Sequence, residues 1–420
     1  MIICIIGSGG REHSICKTIS LSSKITKIYC MPGNAGTQLL AENIELDIND
    51  FEKVLKFLKK IKVDLVIVGP EKPLVNGIVD YLEKNNIKVF GPRKIPSQLE
   101  GSKTFTKNIC KKYNIPTAKF GIFEKKENTI NFLENSKFPI VIKADGLAAG
   151  KGVYICNNNS EAINAVDEIF DGRFGKADCI LIEEFLRGEE MSYFIITDGK
   201  TFKPFQTAQD HKRVEEGDVG KNTGGMGAYS PSRLINNELQ NKIDEKIIKP
   251  TLKGLSDLNS DYVGFLYVGL MIINNEPFLI EFNVRMGDPE CQTILPLLNS
   301  DLGKIIYACC TKKLSSMKIK WLDKKSLCIV LCSNGYPDKY NKNVKIENLN
   351  KIKLNENNLI FHAGTKLVDK DIVATGGRVL NIVNVSNNFA ESKKQALTIL
   401  QDINWTKGFY RKDIGYKVIS

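Results

Sequence analysis

Over its first hundred residues the chain alternates short β-branched apolar runs with stretches of helical period. Residues 1–6, 27–31, 65–68 and 88–90 read as strands, and residues 12–20, 51–60 and 75–84 as helices. Strands that are apolar throughout and separated by helices predict a parallel sheet covered on both faces. The turns that follow them are Gly7-Ser8-Gly9-Gly10, Pro32-Gly33-Asn34-Ala35-Gly36 and Gly69-Pro70-Glu71. They fall outside the carboxyl ends of the strands, where open α/β sheets bind ligands.

Gly91-Pro92 and Pro96 punctuate the exit from this unit and set a boundary near Gly101. A helix over 103–113 follows, ended by Asn114 and by Pro116, which disfavours helix before it. Residues 116–186 predict a compact α/β segment with strands at 139–143, 152–156 and 180–184 and a helix at 161–170. Residues 191–197 and 202–207 form an expected hairpin across Asp198-Gly199. The polar stretch 211–230 carries five glycines and reads as a loop too long for a plain connector, hence functional. A long helix is expected to end at Pro250, followed by a hairpin of 265–272 with 278–283, further helix to Cys310, and a final α/β segment from 326. The fold class is therefore α/β: an N-terminal doubly wound parallel sheet (1–101), a central two-lobed unit (102–312, with a sub-unit at 116–186) and a small C-terminal α/β unit (326–420). No period of 20–50 residues repeats, which excludes a solenoid.

Composition narrows the class of function. In 420 residues, 59 Lys plus Arg against 48 Asp plus Glu leave a net charge of +11. That excess suits anionic small molecules or a lysine-rich solvated surface. Nucleic acid is disfavoured because basic and aromatic residues do not interleave in the stacking pattern. The longest apolar run, 263–273, is far short of a membrane span. The start has no basic leader, and the eleven cysteines contain no CxxC and read as buried thiols in a reducing compartment. A cytoplasmic monomer acting on small molecules, with no nucleic acid and no membrane, is the expectation.

Three segments carry candidate chemistry. Gly7-Ser8-Gly9-Gly10-Arg11-Glu12 follows a strand and opens a helix, the context for an anion at a helix N-terminus. Glu12 stands where a dinucleotide fingerprint needs glycine, so a phosphate monoester held by backbone amides and Arg11 is one reading and a tight turn with a surface arginine the other. Lys143-Ala144-Asp145-Gly146-Leu147-Ala148-Ala149-Gly150-Lys151-Gly152 puts a lysine at the end of a buried strand and a small-residue loop after it. Gly152 and a following strand rule out a Walker A loop, and a lid over polyphosphate fits better. In Ile280-Glu281-Phe282-Asn283-Val284-Arg285 the period of two puts Glu281, Asn283 and Arg285 on one face. Two oxygen ligands and a cation there suit a magnesium–triphosphate site, the alternative being an edge strand whose polar face meets water. His211, His13 and His362 have no evident nucleophile partner, and Arg411-Lys412-Asp413-Ile414-Gly415 shows no chemistry of its own.

Together these residues resemble the ATP-grasp superfamily and, within it, the glycinamide ribonucleotide synthetases. The resemblance spans the whole chain. It rests on Gly-Ser-Gly-Gly-Arg-Glu-His from Gly7, Pro-Gly-Asn-Ala-Gly-Thr from Pro32, Leu-Glu-Gly-Ser-Lys from Leu99 and the lid segment from Ile142. Gln-Asp-His-Lys-Arg from Gln209, Asn-Thr-Gly-Gly-Met-Gly from Asn222, Glu-Phe-Asn-Val-Arg from Glu281 and Phe-His-Ala-Gly-Thr from Phe361 complete it. It implies ligation of glycine to 5-phosphoribosylamine through glycyl phosphate, with ATP and Mg2+ or Mn2+. By the same resemblance, Lys103 and Lys143 hold ATP phosphates beneath a lid that includes Gly146, Gly150, Lys151 and Gly152. Glu183, Glu184, Phe185 and Leu186 form the adenine hinge, Glu190 meets the ribose, and Glu281 and Asn283 bind the metal. Arg285, Asp210 and Lys212 serve catalysis. Gly9, Gly10, Arg11, Asn34 and Glu71, with Thr223, Gly224, Gly225, Met226 and Gly227, gather phosphoribosylamine and glycine. Two rivals remain: another carboxylate–amine ligase of the same superfamily, separable by acceptor omission, and a nicotinamide-dependent oxidoreductase.

Overall fold

The computed structural model describes residues 1–147, 152–173, 175 and 178–419. Its N-terminal part is a five-stranded, wholly parallel sheet. Strands β1 (Ile2–Gly7), β2 (Lys27–Pro32), β3 (Glu42–Asn43), β4 (Leu65–Val68) and β5 (Val89–Phe90) take the order β3-β2-β1-β4-β5. The connections run outward from β1 in both directions, through β2 to β3 and then through β4 to β5, and this switch point puts Gly7–Gly10 at the crevice of the sheet. The expected third helix is split into Glu71–Val75 and Ile78–Lys84. Gly77, at φ +91°, turns the chain between them, a conformation open to glycine and costly for other residues.

Two four-stranded antiparallel sheets follow. The first orders Phe120–Phe123, Ile180–Glu184, Ile140–Ala144 and Val153–Cys156. Helices Lys126–Glu134 and Asn159–Phe170 cover it, and its apolar core (Leu133, Ile140, Ile142, Val166, Ile182 and neighbours) is separate from every other. A sub-unit with its own core can rotate as a body, because moving it exposes little apolar surface. The second sheet orders Phe202–Pro204, Glu189–Asp198, Val263–Ile273 and Glu276–Asn283. Its inner face merges with the N-terminal sheet in common cores, where Ile6 and Val66 join a cluster with Leu266 and Val268. These two parts are therefore held rigidly to each other.

Two expectations fail. The 211–230 stretch is not a plain loop: Gln209–Asp210 and Gly227–Ser230 are strands, with the small hairpin Arg213–Glu215/Val219–Asn222 between them. Both outer strands belong to a sheet continued by Lys325–Ser333, Arg378–Ser386 and Asn358–His362, so the central and C-terminal segments share one sheet. Polar, glycine-rich strands lack the alternation that marks a strand in sequence. Pro250 does not end its helix either. Asn237–Ile243 runs through a π-turn, Asp244–Ile248, into Lys249–Ser256, and Pro250 sits in the first turn of that last piece, where a missing N–H costs least.

Candidate functional site

Helix Lys103–Lys112 is capped by Ser102, whose hydroxyl accepts from the Phe105 amide at 3.1 Å. The carboxylate of Asp145, just past strand Ile140–Ala144, lies on the same helix end, accepting from the Lys103 amide at 2.5 Å and the Ser102 hydroxyl at 3.1 Å. Lys103 Nζ reaches back to the Gly146 carbonyl at 2.9 Å. The base of the expected lid is thus tied to a helix N-terminus, where a negative charge is favoured. Gly150 and Lys151 lie outside the described residues, so their expected roles have no geometry here. Gly146, at φ +91°, has no atom within 4 Å of where a side chain would start.

One turn further along that helix, Lys107 joins a buried triad. Glu183 receives Lys143 Nζ at 2.6 Å and Lys107 Nζ at 2.7 Å, with all three side chains almost fully buried. Burial pushes the Glu183 carboxyl up, but the two ammonium groups outweigh it and hold it below the ordinary range. Burial lowers Lys107 and Lys103 against the pull of nearby carboxylates. The triad carries one positive charge more than negative, a fixed excess suited to phosphate oxygens. The sequence reading missed Lys107, although its i, i+4 spacing from Lys103 put it on the same helix face. Glu184 instead bonds the Lys119 amide (2.9 Å), and Phe185 and Leu186 form the half-buried crossover between the two antiparallel sheets.

Glu281 and Asn283 are half-buried on the last strand of the second sheet, two residues apart. A bulge at Gly269/Leu270 breaks the register just before Glu281, so Ile280 and Glu281 are both half-exposed while Phe282 is buried. Lys212 faces the same space. Its Nζ pairs with Glu190 at 2.7 Å, and Lys212 chiefly holds the Glu190 carboxyl below its ordinary value. Asp210, desolvated and near Glu290 and Glu190, is pushed up to about 7 despite Lys212. Glu290 is raised too, mainly by burial. Among the described residues no three His, Cys, Asp or Glu side chains group closely enough to hold a metal by themselves. Glu281 and Asn283 nonetheless fit a hard cation completed by substrate phosphates, since magnesium takes few protein oxygens.

A second cluster sits at the crevice of the parallel sheet. Arg285 pairs with Glu100 (2.7 Å) and Glu71 (3.4 Å), and its buried Nε makes no hydrogen bond. Burial, with Glu71 close by, pushes Glu100 up to about 7 against the pull of Arg285. Glu100 lies inside the Leu99–Lys103 motif but was given no role from sequence. Arg11 is buried, with Nε on Glu12 (2.5 Å) and Nη1 on the Met286 carbonyl (3.2 Å). Met286 itself is core. Close approach favours glycine at position 10, where a side chain would meet Asn381 and Gln292, and one at Gly9 would touch the carboxylates of Glu12 and Asp288.

Asn34 is fully employed in holding the segments together. Its amide nitrogen donates to the carbonyls of Ser8 and His362, both 2.8 Å, and its oxygen accepts from the amides of Gly36 (2.8 Å) and Thr37 (3.0 Å). Beside it a cavity of about 1170 Å3 opens between the N-terminal sheet and the C-terminal segment, lined among others by Gly9, Lys27, Asn34, Glu45, Thr365 and Lys366. Of the glycine-rich segment, Met226 is fully buried core, and the amides of Thr223, Gly224, Gly225 and Met226 are bonded internally, to Lys212 O, Tyr336 OH, Thr223 Oγ1 and His211 O.

His211 and the terminal motif are structural partners. The Gly415 amide donates to His211 Nε2 at 3.1 Å, and buried Arg411 grips Asp413 (2.6 Å) and Asp218 (2.8 Å) and donates to the Arg213 carbonyl. His13 and His362, distant in sequence, meet beside Asn34 and Gly36: the His362 amide donates to His13 Nδ1 at 2.8 Å. No helix among the described residues is long and apolar enough to cross a membrane.

Models of the phosphoribosylglycinamide synthetase N, ATP-grasp (A) and C domains match residues 1–100, 101–291 and 326–417. A phosphoribosylamine–glycine ligase of Mesorhizobium japonicum is 45% identical over 421 aligned positions, covering 100% of this chain and 99% of the relative. The crystal structure of the phosphoribosylamine–glycine ligase of Thermotoga maritima superposes with a TM-score of 0.86 at 32% identity, covering 99% and 100% of the two chains. The biotin carboxylase of Campylobacter jejuni, solved as a β-γ-ATP complex, shares the fold alone (TM-score 0.74, 14% identity, 96% and 91% covered). With its parallel sheet, its two antiparallel lobes and full-length likeness to these ligases, the chain belongs to the phosphoribosylglycinamide synthetase family.

Proposed function

We propose that the chain is an ATP-dependent phosphoribosylamine–glycine ligase that makes glycinamide ribonucleotide, ADP and phosphate in purine biosynthesis. A glycine carboxylate oxygen attacks the γ-phosphorus and the bond to ADP breaks. The phosphoribosylamine nitrogen then attacks the acyl carbon, phosphate leaves, and the amine proton passes to a base. No covalent enzyme intermediate is required, so the protein's work is positioning and charge neutralisation.

The observation that carries this reading is that Lys103 lies within electrostatic reach of both Glu281 and the buried Lys143–Glu183–Lys107 triad, with Lys212 also within reach of Glu281. Lys103 and Lys143 meet ATP phosphates, the crossover Glu184–Leu186 takes adenine, and Glu190 the ribose. Glu281 and Asn283 would hold a divalent cation, Mg2+ or Mn2+, which would neutralise phosphate charge. Asp210, poised near neutrality, takes the amine proton, and Arg285 meets the developing acyl phosphate. Phosphoribosylamine occupies the 1170 Å3 cavity beside Gly9 and Asn34. The enzyme acts as a cytoplasmic monomer on small molecules. The test is ADP release by purified protein: it should require glycine and phosphoribosylamine together, and release with either alone or with another amine acceptor would overturn the assignment.

A further inference from the structure

Arg378 opens strand Arg378–Ser386 of the C-terminal segment and belongs to none of the sequence motifs. Its Nη1 donates to two backbone carbonyls from different segments, Gly224 at 2.6 Å and Asp288 at 2.5 Å. The Asp288 carboxylate is 3.4 Å away and already receives Gln292 Nε2 at 2.6 Å and the Arg11 amide at 3.4 Å. No described residue pairs with Arg378 Nε or Nη2, and the side chain keeps 21% of its surface open. A guanidinium has five donors in a fixed fork, so one nitrogen pins this one in place while two others remain available. Gly224 lies against that fork, and a side chain there would meet the guanidinium carbon at 2.9 Å. The glycine-rich segment beside it has spent its own amides internally and offers no backbone cradle for an anion.

We infer that Arg378 is a substrate-binding residue: its Nε–Nη2 edge receives an oxyanion of a substrate at the junction of the three segments. This rests on the ligase reading above. The chemistry is a carboxylate or a phosphate monoester, each of which matches the fork with two parallel hydrogen bonds. Glycine would bring the first and phosphoribosylamine the second.

The test compares the parent with Arg378→Lys and Arg378→Met. Lysine keeps a cation to meet the Gly224 and Asp288 carbonyls but cannot present a fork. In steady-state assays the KM of one anionic substrate should rise about tenfold or more, the size expected for a lost charge-assisted contact, with the KM of ATP unchanged and melting near the parent's. A rise confined to glycine assigns the carboxylate, and one confined to phosphoribosylamine the phosphate. Calorimetric titration with glycine and with inorganic phosphate gives a readout independent of turnover, in which the parent should bind one of them and Arg378→Lys bind it weakly. Unchanged affinities in Arg378→Lys, or a uniform fall in kcat and stability with every KM in step, would overturn the inference. Absence of glycine- and phosphoribosylamine-dependent ADP release in the parent would instead refute the ligase reading.

Discussion

Replacing Glu183 by glutamine removes the one negative charge between two buried ammonium groups and keeps the shape. Lys143 and Lys107 lie 2.6 and 2.7 Å from its two oxygens, with side chains only 7% and 4% exposed. After the change both cations face each other across a neutral amide. Breaking a buried pair in this way costs about 3–5 kcal/mol, because the remaining charge has lost its compensation. At about 1 °C per kcal/mol for a chain of this length, the melting temperature should fall by roughly 3–6 °C. The same electrostatics demand a rescue. ATP phosphates would bring back the missing negative charge, so saturating nucleotide with magnesium should raise the melting temperature of Glu183→Gln by more than it raises that of the parent. Differential scanning calorimetry with and without nucleotide decides it. If the variant melts like the parent, the triad does not carry the stability assigned to it. If it is destabilised but nucleotide restores no more than in the parent, the lysines do not face the phosphates.

Three further outcomes are expected. Glu281→Ala should require far more magnesium for turnover, and a magnesium titration that matches the parent's would make that carboxylate structural. Burial lowers His13 to about 3 and His362 to about 4, so between about pH 6.5 and pH 4 the unfolded chain binds protons that the folded chain refuses. Stability is therefore fully present above about 6.5 and falls as pH falls, by about 1.4 kcal/mol per pH unit for each histidine. Urea unfolding at pH 7, 6 and 5 should show a shallower slope in His13→Asn, and parallel slopes would remove the histidine from the account. Arg411→Met should cost about 1–3 kcal/mol by removing the main charge partner of Asp413 and Asp218, which keep the Gly217 amide and the Tyr416 hydroxyl, seen as a lower melting temperature with nucleotide affinity intact, and a change in nucleotide affinity would speak against a purely structural clamp.

The first half of the fold was legible because its signals are local. Apolar strands, a helix after each and glycine at the turns specify a parallel sheet with almost no reference to the rest of the chain, and the observed order β3-β2-β1-β4-β5 follows from short right-handed crossovers. Lys143 at a strand end and Glu281 and Asn283 on one strand face were legible for the same reason: their geometry is set by neighbours within a few residues. Segment 209–230 was misread because its pairing partner, Lys325–Ser333, lies about a hundred residues away, and a strand made of polar and glycine residues reveals itself only through that partner.

What the sequence alone determined was the kind of chemistry: lysines, carboxylates and glycines in motifs whose spacing fixes local shape. What tertiary structure decided was which of these residues are free to use it. Asn34 looks like a binding side chain, yet all its donors and acceptors are spent joining Ser8, Gly36, Thr37 and His362. Arg411 shows no chemistry of its own in the sequence, yet it is wholly buried as a clamp. Lys107, Glu100 and Arg378 carry no motif role, yet burial and long-range partners set each of them beside the chemistry. The physical reason is that a polar group's availability is what remains after its buried hydrogen bonds are made. Those partners come from segments as much as 328 residues apart.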